Sequence, residues 1–292
     1  MITYLTRKEL NTEKYNRCIK NAINSRIYAY SWYLDCVADQ WDVLVAADYE
    51  AVMPLPWRKK YLVKYIYLPV WIQQLGVFYN KKPNSDLVPR FLKAIPKKFK
   101  FIELNLNADN SIQNKFMTPR INYVLNLNTS YQHLVDNYNK GRKSDLKSAR
   151  KHMITFKNSN NALDLITIFK EVKGHDVQLK NADYKLLEQL TTKLVDLNKM
   201  VLVEAFNEEN EIIGGILFLI DSSRITYLFS VSTSEGREKN IISLIIDDVL
   251  KKYANSKRIF DFEGSMMPNV ASFFRSFGAI QEEYYHYRKY RL

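Results

Sequence analysis

The clearest pattern of apolar and polar positions lies in the second half of the chain. Dense apolar runs at 201–207, 212–221 and 224–232 are separated by short polar links at 207–211 and 222–223. That pattern predicts a three-strand meander closed by hairpin turns. A helical period follows over 240–253, where Ile241, Leu244, Ile245, Val249 and Leu250 share a face and Asp247, Lys251 and Lys252 are expected outside. A strand at 258–262, a helix at 269–277 and a strand at 282–290 are expected to complete this half. Ahead of the meander the spacing predicts a helix over 131–151 broken around Gly141, a strand at 155–157, and helices over 163–172 and 184–198. Gly214 and Gly215 inside a strand mark a bulge or a close backbone approach.

The first half reads as helices over 13–22 and 30–38, the second with Ser31 as its N-cap. Strands at 42–47 and 51–56 form a hairpin through Tyr49 and Glu50, and further strands are expected at 65–68 and 72–78. A helix over 88–95 is stopped by Pro96, and strands follow at 101–106 and 123–127, the last marking a seam. The expectation is an α/β chain with a mixed sheet, divided into domains at 1–127 and 128–292, the first a weak echo of the second. No solenoid-type repeat is visible.

Composition narrows the class. The chain has 292 residues, long for a single core, and 47% hydrophobic against 25% charged residues is an ordinary globular balance. The apolar runs are too short to cross a bilayer, and the opening MITYLTRKEL has no secretory h-region. Cys18 and Cys36 cannot make a disulfide scaffold and have no histidine partner for nucleophilic chemistry, so a reducing cytoplasm is expected. His133, His152, His175 and His286 fall on separate elements without ligand spacing, so no metal is expected. The net charge of +12 favours anionic partners such as nucleic acid, acidic lipid headgroups or phosphorylated small molecules, or is a generic solvated surface.

Chemistry concentrates at 225–279. The strand ITYLFSVST delivers the loop SEGREKN to the start of the helix IISLIIDDVLKKY. Unpaired first-turn N–H groups and the positive end of the helix dipole make such a junction an anion site. Gly236 permits a turn there, and Arg237 and Lys239 add charge. The strand RIFDFEG is expected to set Asp261 and Glu263 on one face by alternation.

The run FDFEGS, then MMPNVASFFRSFGA, then EEYYHYRK resembles the close of Fem-type and BioF-like domains of the GNAT superfamily. YNKGRKSDLKSARK resembles the opening of the same domain, and YSWYLDCV, VLVAADYEAVMPLPW and LPVWIQQLGVF follow the order of a companion domain. The resemblance implies two tandem GNAT-like domains, the N-terminal one degenerate. It also implies transfer of an acyl or aminoacyl group, from acyl-CoA or aminoacyl-tRNA, to an amine on a sugar, peptide or cell-wall precursor. On it, the strand ending at Val231 and Ser232 offers a backbone N–H to the acyl carbonyl. The stretch Gly236, Arg237, Lys239, Asn240 and Ile241 holds the donor. Two departures stand out. The loop lacks the family's second glycine, which suits aminoacyl-tRNA better than coenzyme A. The next helix lacks the leaving-group tyrosine and offers only Ser272 among phenylalanines.

Other candidates carry two readings each. Asp261, Glu263 and Glu204 are candidates to deprotonate or orient the amine, or a cap, a partner for Arg275 and a buried strand residue. Arg142 and Lys143 open a basic helix with Lys147, Arg150 and Lys151 that suits phosphates of tRNA or a nucleotide-linked acceptor, or is a solvated face. Trp71, Gln73 and Tyr79 are acceptor-site candidates by the resemblance, or simple packing. The competing function is a non-catalytic protein of the same fold that binds nucleic acid or another anionic partner.

Overall fold

Alternating β-branched and aromatic positions become strands and periodic ones helices, in an order that builds two units. The computed structural model describes residues 1–291 apart from Pro83, Gln113, Gln178 and Ser265, and leaves the side chains of 175–177 undescribed, His175 among them. One unit comprises Met1–Ile121 with Glu283–Leu292, and the other Asn122–Glu282. No helix among the described residues is long and apolar enough to cross a membrane.

The first unit contains β1 (Ile2–Thr6), α1 (Thr12–Asn21), α2 (Ser31–Val37), β2 (Gln40–Ala46), β3 (Ala51–Lys60), β4 (Val63–Ile66), β5 (Phe78–Tyr79), α3 (Leu87–Ala94) and β6 (Phe99–Leu106). The chain leaves it along β7 (Met117–Asn126). Its sheet runs β1-β2-β3-β4-β6, antiparallel except for the parallel β4/β6 pair, and β6 also pairs with residues 285–290 near the chain's end. Leu44, Met53, Leu55 and Ile66 pack with Phe91 and Leu92 of α3 on one face. Strand alternation sends Trp41, Val43 and Val45 to the other, where Trp41 meets Tyr15 of α1 with ring centroids 5.4 Å apart.

The second unit continues with α4 (Tyr131–Asp136), α5 (Lys140–Ala149), β8 (Thr155–Ser159), α6 (Leu163–Val177), α7 (Asn181–Asp196), β9 (Met200–Phe206), β10 (Ile212–Ile220), β11 (Arg224–Ser232), α8 (Ser234–Glu238), α9 (Ile241–Tyr253), β12 (Ile259–Asp261), α10 (Pro268–Arg275) and the start of β13 (Ile280–Tyr290). Its sheet runs β7-β12-β11-β10-β9-β8, with β11/β12 the parallel pair. The meander forms as expected. A Cβ on Gly214 would meet Ile241 of α9, and one on Gly215 would meet Leu165 of α6. Successive residues face opposite ways, so α6 and α9 cover opposite faces of this sheet.

Several local expectations are corrected. Ile2–Thr6 is a strand, paired to β2. Of 72–78 only its last residue joins a strand; Leu75 makes a single parallel bridge to Leu106, and Val77 N–H goes instead to the Asn110 side chain at Oδ1. Ser31 is the first residue of α2, not its cap, and its hydroxyl accepts from Asn16. The helix expected over 131–151 breaks before Gly141, where Asn139 Oδ1 accepts the Arg142 N–H at 2.7 Å and caps α5. The loop SEGREKN contains α8, capped by Thr233. Asp247, expected outside α9, is buried, because Tyr131, Tyr138 and Arg150 donate to it from α4, the α4–α5 link and the end of α5.

Candidate functional site

In the second unit two parallel neighbours separate. β11 pairs with β12 only over Arg224–Ile259, Ile225–Phe260 and Thr226–Asp261, and then runs on to Ser232 without a strand on that side. Both strands carry a reason to part. On β11 the register against β10 shifts so that Leu228 is an extra residue between Tyr227 and Phe229. A bulge of this kind bends its strand and increases the twist. On β12, the register with β7 continues through Phe262, whose N–H donates to Tyr123 O at 3.0 Å, and the chain then turns at Glu263, which takes a positive φ of 52° and whose N–H is held by Asp261 Oδ1 at 3.0 Å. The strand therefore ends at Asp261, and the shared face expected for Asp261 and Glu263 is not formed.

A cavity of about 530 Å³ occupies the opening, lined by Phe169 and Lys173 of α6, Tyr227, Phe229, Ser230 and Ser232 of β11, the α8–α9 junction, and Asn269, Val270, Phe273 and Phe274 of α10. Such a volume is ordinary for a small-molecule pocket, about 300–1,000 Å³. Side chains from helices on both faces of the sheet meet in it, as a parted sheet allows. At one end α9 begins at Asn240, which adopts a left-handed conformation (φ 53°, ψ 35°). The first-turn N–H groups and the dipole of this helix favour an anion. The charged lining residues, Lys173 and Arg237, are both cationic.

Of the residues read from sequence, Ser232, Gly236, Arg237, Asn240 and Ile241 line this cavity together. Gly236 has little choice of side chain, since a Cβ would lie 2.3 Å from Ile213 O and 2.6 Å from Ser232 Oγ. Arg237 donates to Ser232 O at 2.9 Å. Val231 is buried opposite Gly215 in the ladder, and Lys239 is paired with Glu235 at 2.6 Å. Neither lines the cavity. Asp261 is buried and bound to Arg224 at 2.7 Å and to Asn122 at 2.9 Å.

Arg142 is buried, with Phe273 and Phe277 each 4.6 Å from its guanidinium. It donates to Ser276 of the α10 end and to Ser243 of the first turn of α9, so it braces two walls of the cavity. Burial pulls its pKa down, opposed by Asp145. Arg142 and exposed Ser272 share a separate cavity of about 330 Å³. Lys143 is exposed and donates to Asp136 O at 3.0 Å. In the first unit, Trp71 is buried and its carbonyl accepts the Tyr33 hydroxyl at 2.6 Å. Gln73 accepts from Gln74 at 2.7 Å, and Tyr79 donates to Asp109 O at 2.9 Å.

Glu204 is buried on β9 opposite Lys157 and Gly215. Burial, then Asp164, push its carboxyl above the ordinary carboxylate range, and Lys157 opposes them. An acid whose folded pKa is raised costs stability as pH climbs from its unfolded to its folded value, and the cost persists above that window. Glu204→Gln is therefore expected to raise Tm at neutral pH, with the gain vanishing at acid pH below the unfolded value. Turnover should be unchanged, and a collapse of kcat in this variant would make Glu204 part of the chemistry.

The sequence reading missed Tyr227, Phe229, Ser230 and Lys173. Tyr227 donates to Ser230 Oγ and packs against Phe218 and Phe274. Burial pushes its phenol up to about 12, so it holds its proton at neutral pH. The available signal was polar Tyr227, Ser230 and Ser232 recurring within an apolar strand. Among the described residues no carboxylate or histidine lines the cavity, and no three His, Cys, Asp or Glu are grouped to hold a metal ion.

No protein-family model and no curated protein matches the chain. Solved structures do. The chain is similar to FemX, with TM-score 0.70 and 13% identity over 94% of this chain and 96% of that one. It is similar to L-PGS from Bacillus licheniformis, with TM-score 0.57 and 14% identity over 96% and 92%. A tandem GNAT protein from the clavulanic acid biosynthesis pathway gives TM-score 0.52 and 9% identity over 99% and 98%. The fold is thus mixed α/β, a tandem GNAT-like arrangement of the Fem type.

Proposed function

We propose that this chain transfers an acyl or aminoacyl group from an activated thioester or ester onto an amine. The observation that carries the reading is the parting of β11 from β12 beside the N-terminus of α9, with a cavity of about 530 Å³ in the opening. An acyl carbonyl in that opening meets backbone N–H groups of β11 that have no strand partner, and these stabilise the oxyanion as the amine nitrogen bonds to the carbonyl carbon. The carbon–sulfur or carbon–oxygen bond then breaks, a thiolate leaving as the anion and an alkoxide taking a proton from Tyr227. The amine's own proton leaves to water, which returns one to the Tyr227 phenolate. Arg142 takes the role of a brace holding α9 and α10 in place.

The finer reading is that the donor is an aminoacyl-tRNA ester. In α8 the Gly236 N–H is spent on Thr233 Oγ1 at 3.2 Å and the Arg237 N–H on Thr233 O at 3.0 Å. Neither N–H is then free to hold a pyrophosphate, which leaves only the start of α9 for one and disfavours coenzyme A. The acceptor is an amine of a sugar, peptide or cell-wall precursor, and the setting is the cytoplasm, where charged tRNA is found.

Calorimetric titration with stable analogues of acyl-CoA and of charged tRNA tests the proposal. Saturable binding of a charged-tRNA analogue, with amide formation on an added amine, is expected. Folded protein silent toward both donors would overturn it. Salt-dependent RNA binding without turnover would replace it with the non-catalytic reading.

A further inference from the structure

The β3–β4 hairpin of the first unit carries features that its own fold does not use. Lys60 pairs with Val63, so Tyr61 and Leu62 alone form the turn, with φ of 46° and 71°. Two-residue turns with both central φ values positive strongly favour Asn-Gly or Asp-Gly, because a Cβ is strained there. This turn instead places a tyrosine and a leucine in water, 89% and 85% exposed, beside Val63 at 45%. Lys59 and Lys64 are directly opposed across the strands, a like-charge pair that weakens a hairpin. No ion pair joins Lys59, Lys60 or Lys64 to an acid among the described residues. The tip also overhangs its neighbours. β2 ends its pairing with β3 at Gln40 opposite Trp57, and β6 begins its pairing with β4 at Phe99 opposite Lys64. Beyond both neighbours remain the Lys60–Val63 pair and the two turn residues, which project by about 7 Å.

Strain, exposed apolar side chains and uncompensated positive charge fall on the same five residues, 59–63, with Lys64 at their base. We propose that this hairpin docks the protein on an anionic lipid surface. Tyr61 and Leu62 enter the headgroup–acyl boundary, whose depth of about 5–10 Å matches the overhang. Lys59, Lys60 and Lys64 meet acidic headgroups, which relieves their mutual repulsion. The net charge of +12 has the same sign. RNA is the less suitable occupant, because Tyr61 offers one ring for a base to stack on while Leu62 and Val63 beside it supply neither stacking nor hydrogen bonds. The docking rests on the hairpin alone and is independent of the transferase reading.

Co-sedimentation of the full chain with vesicles of phosphatidylcholine, with and without phosphatidylglycerol, tests this. Binding is expected only to the mixed vesicles. The double variant Tyr61→Asn/Leu62→Gly removes the apolar tip while giving the turn the residues it prefers, so it should melt a few degrees higher and yet lose vesicle binding. Each of Lys59→Gln, Lys60→Gln and Lys64→Gln should weaken binding by about fivefold. Lys81→Gln, elsewhere on the unit, should leave it unchanged. Equal sedimentation of the turn variant, or equal binding to neutral vesicles, overturns the proposal. So does RNA binding that depends on the three lysines in the absence of vesicle binding.

Discussion

Tyr227→Phe is expected to lower kcat for acyl transfer by about a hundredfold or more, the usual worth of a positioned general acid. The variant keeps the ring, and with it the packing against Phe218 and Phe274 at 5.9 and 6.0 Å. What it loses is one hydroxyl, and the hydrogen bond to Ser230 is worth only about 1 kcal/mol of stability. A departing alkoxide must gain a proton, whereas a thiolate leaves as the anion. Of the hydroxyl groups around the cavity, Tyr227 is the one whose acidity, at about 12, both retains that proton at neutral pH and can give it to an alkoxide. The discriminating readout is the leaving group. With nitrophenyl ester or thiophenyl ester donors, whose leaving groups need no proton, the variant should recover most of the lost rate. A defect of the same size with every donor would mean that Tyr227 shapes the cavity and transfers no proton.

The sequence makes the strand meander, α9 and the anion-binding junction legible, because each rests on local periodicity and on the physics of a helix end. It does not reveal what opens the site. The bulge at Leu228 depends on register against β10, and β12 ends where Glu263 takes a positive φ, which no apolar period announces. Tyr227 gains its position from the non-local register of β11. The same limit explains Asp247, whose polar side chain reads as solvated until α4 and α5 bring Tyr131, Tyr138 and Arg150 to it. Apolar 72–78 reads as a strand, but beyond the one bridge at Leu75 the side-chain amides of Asn105, Asn107 and Asn110 bind its carbonyls where a full ladder would. Family resemblance could suggest Asp261 and Glu263 as chemical groups, whereas their placement depends on whether β12 continues past Asp261.

Asp261→Ala is expected to cost the second unit about 3 kcal/mol or more, roughly 6–12 °C in Tm for a unit of this size. The Arg224 guanidinium is buried between Asp261 at 2.7 Å and Glu282 at 2.8 Å. Burial alone would lower its pKa, but the two carboxylates overcome that and raise it above its ordinary value. Removing Asp261 leaves the cation with one partner, takes away the acceptor of the Glu263 N–H, and leaves the Asn122 amide only Glu282 at 3.1 Å. Loss of a single member is costly because the remaining charge stays in low dielectric. Replacing the cation too, as Arg224→Met/Asp261→Ala, should recover part of the lost stability, since no buried cation is then left with Glu282 as its one acid. Urea unfolding of the single and double variants measures that coupling. The single variant should also lose turnover in proportion to its unfolded fraction, because the end of β12 keeps the cavity open. If Asp261→Ala instead melts like the parent and still abolishes transfer, its carboxylate acts on the substrate and is not a structural partner of Arg224.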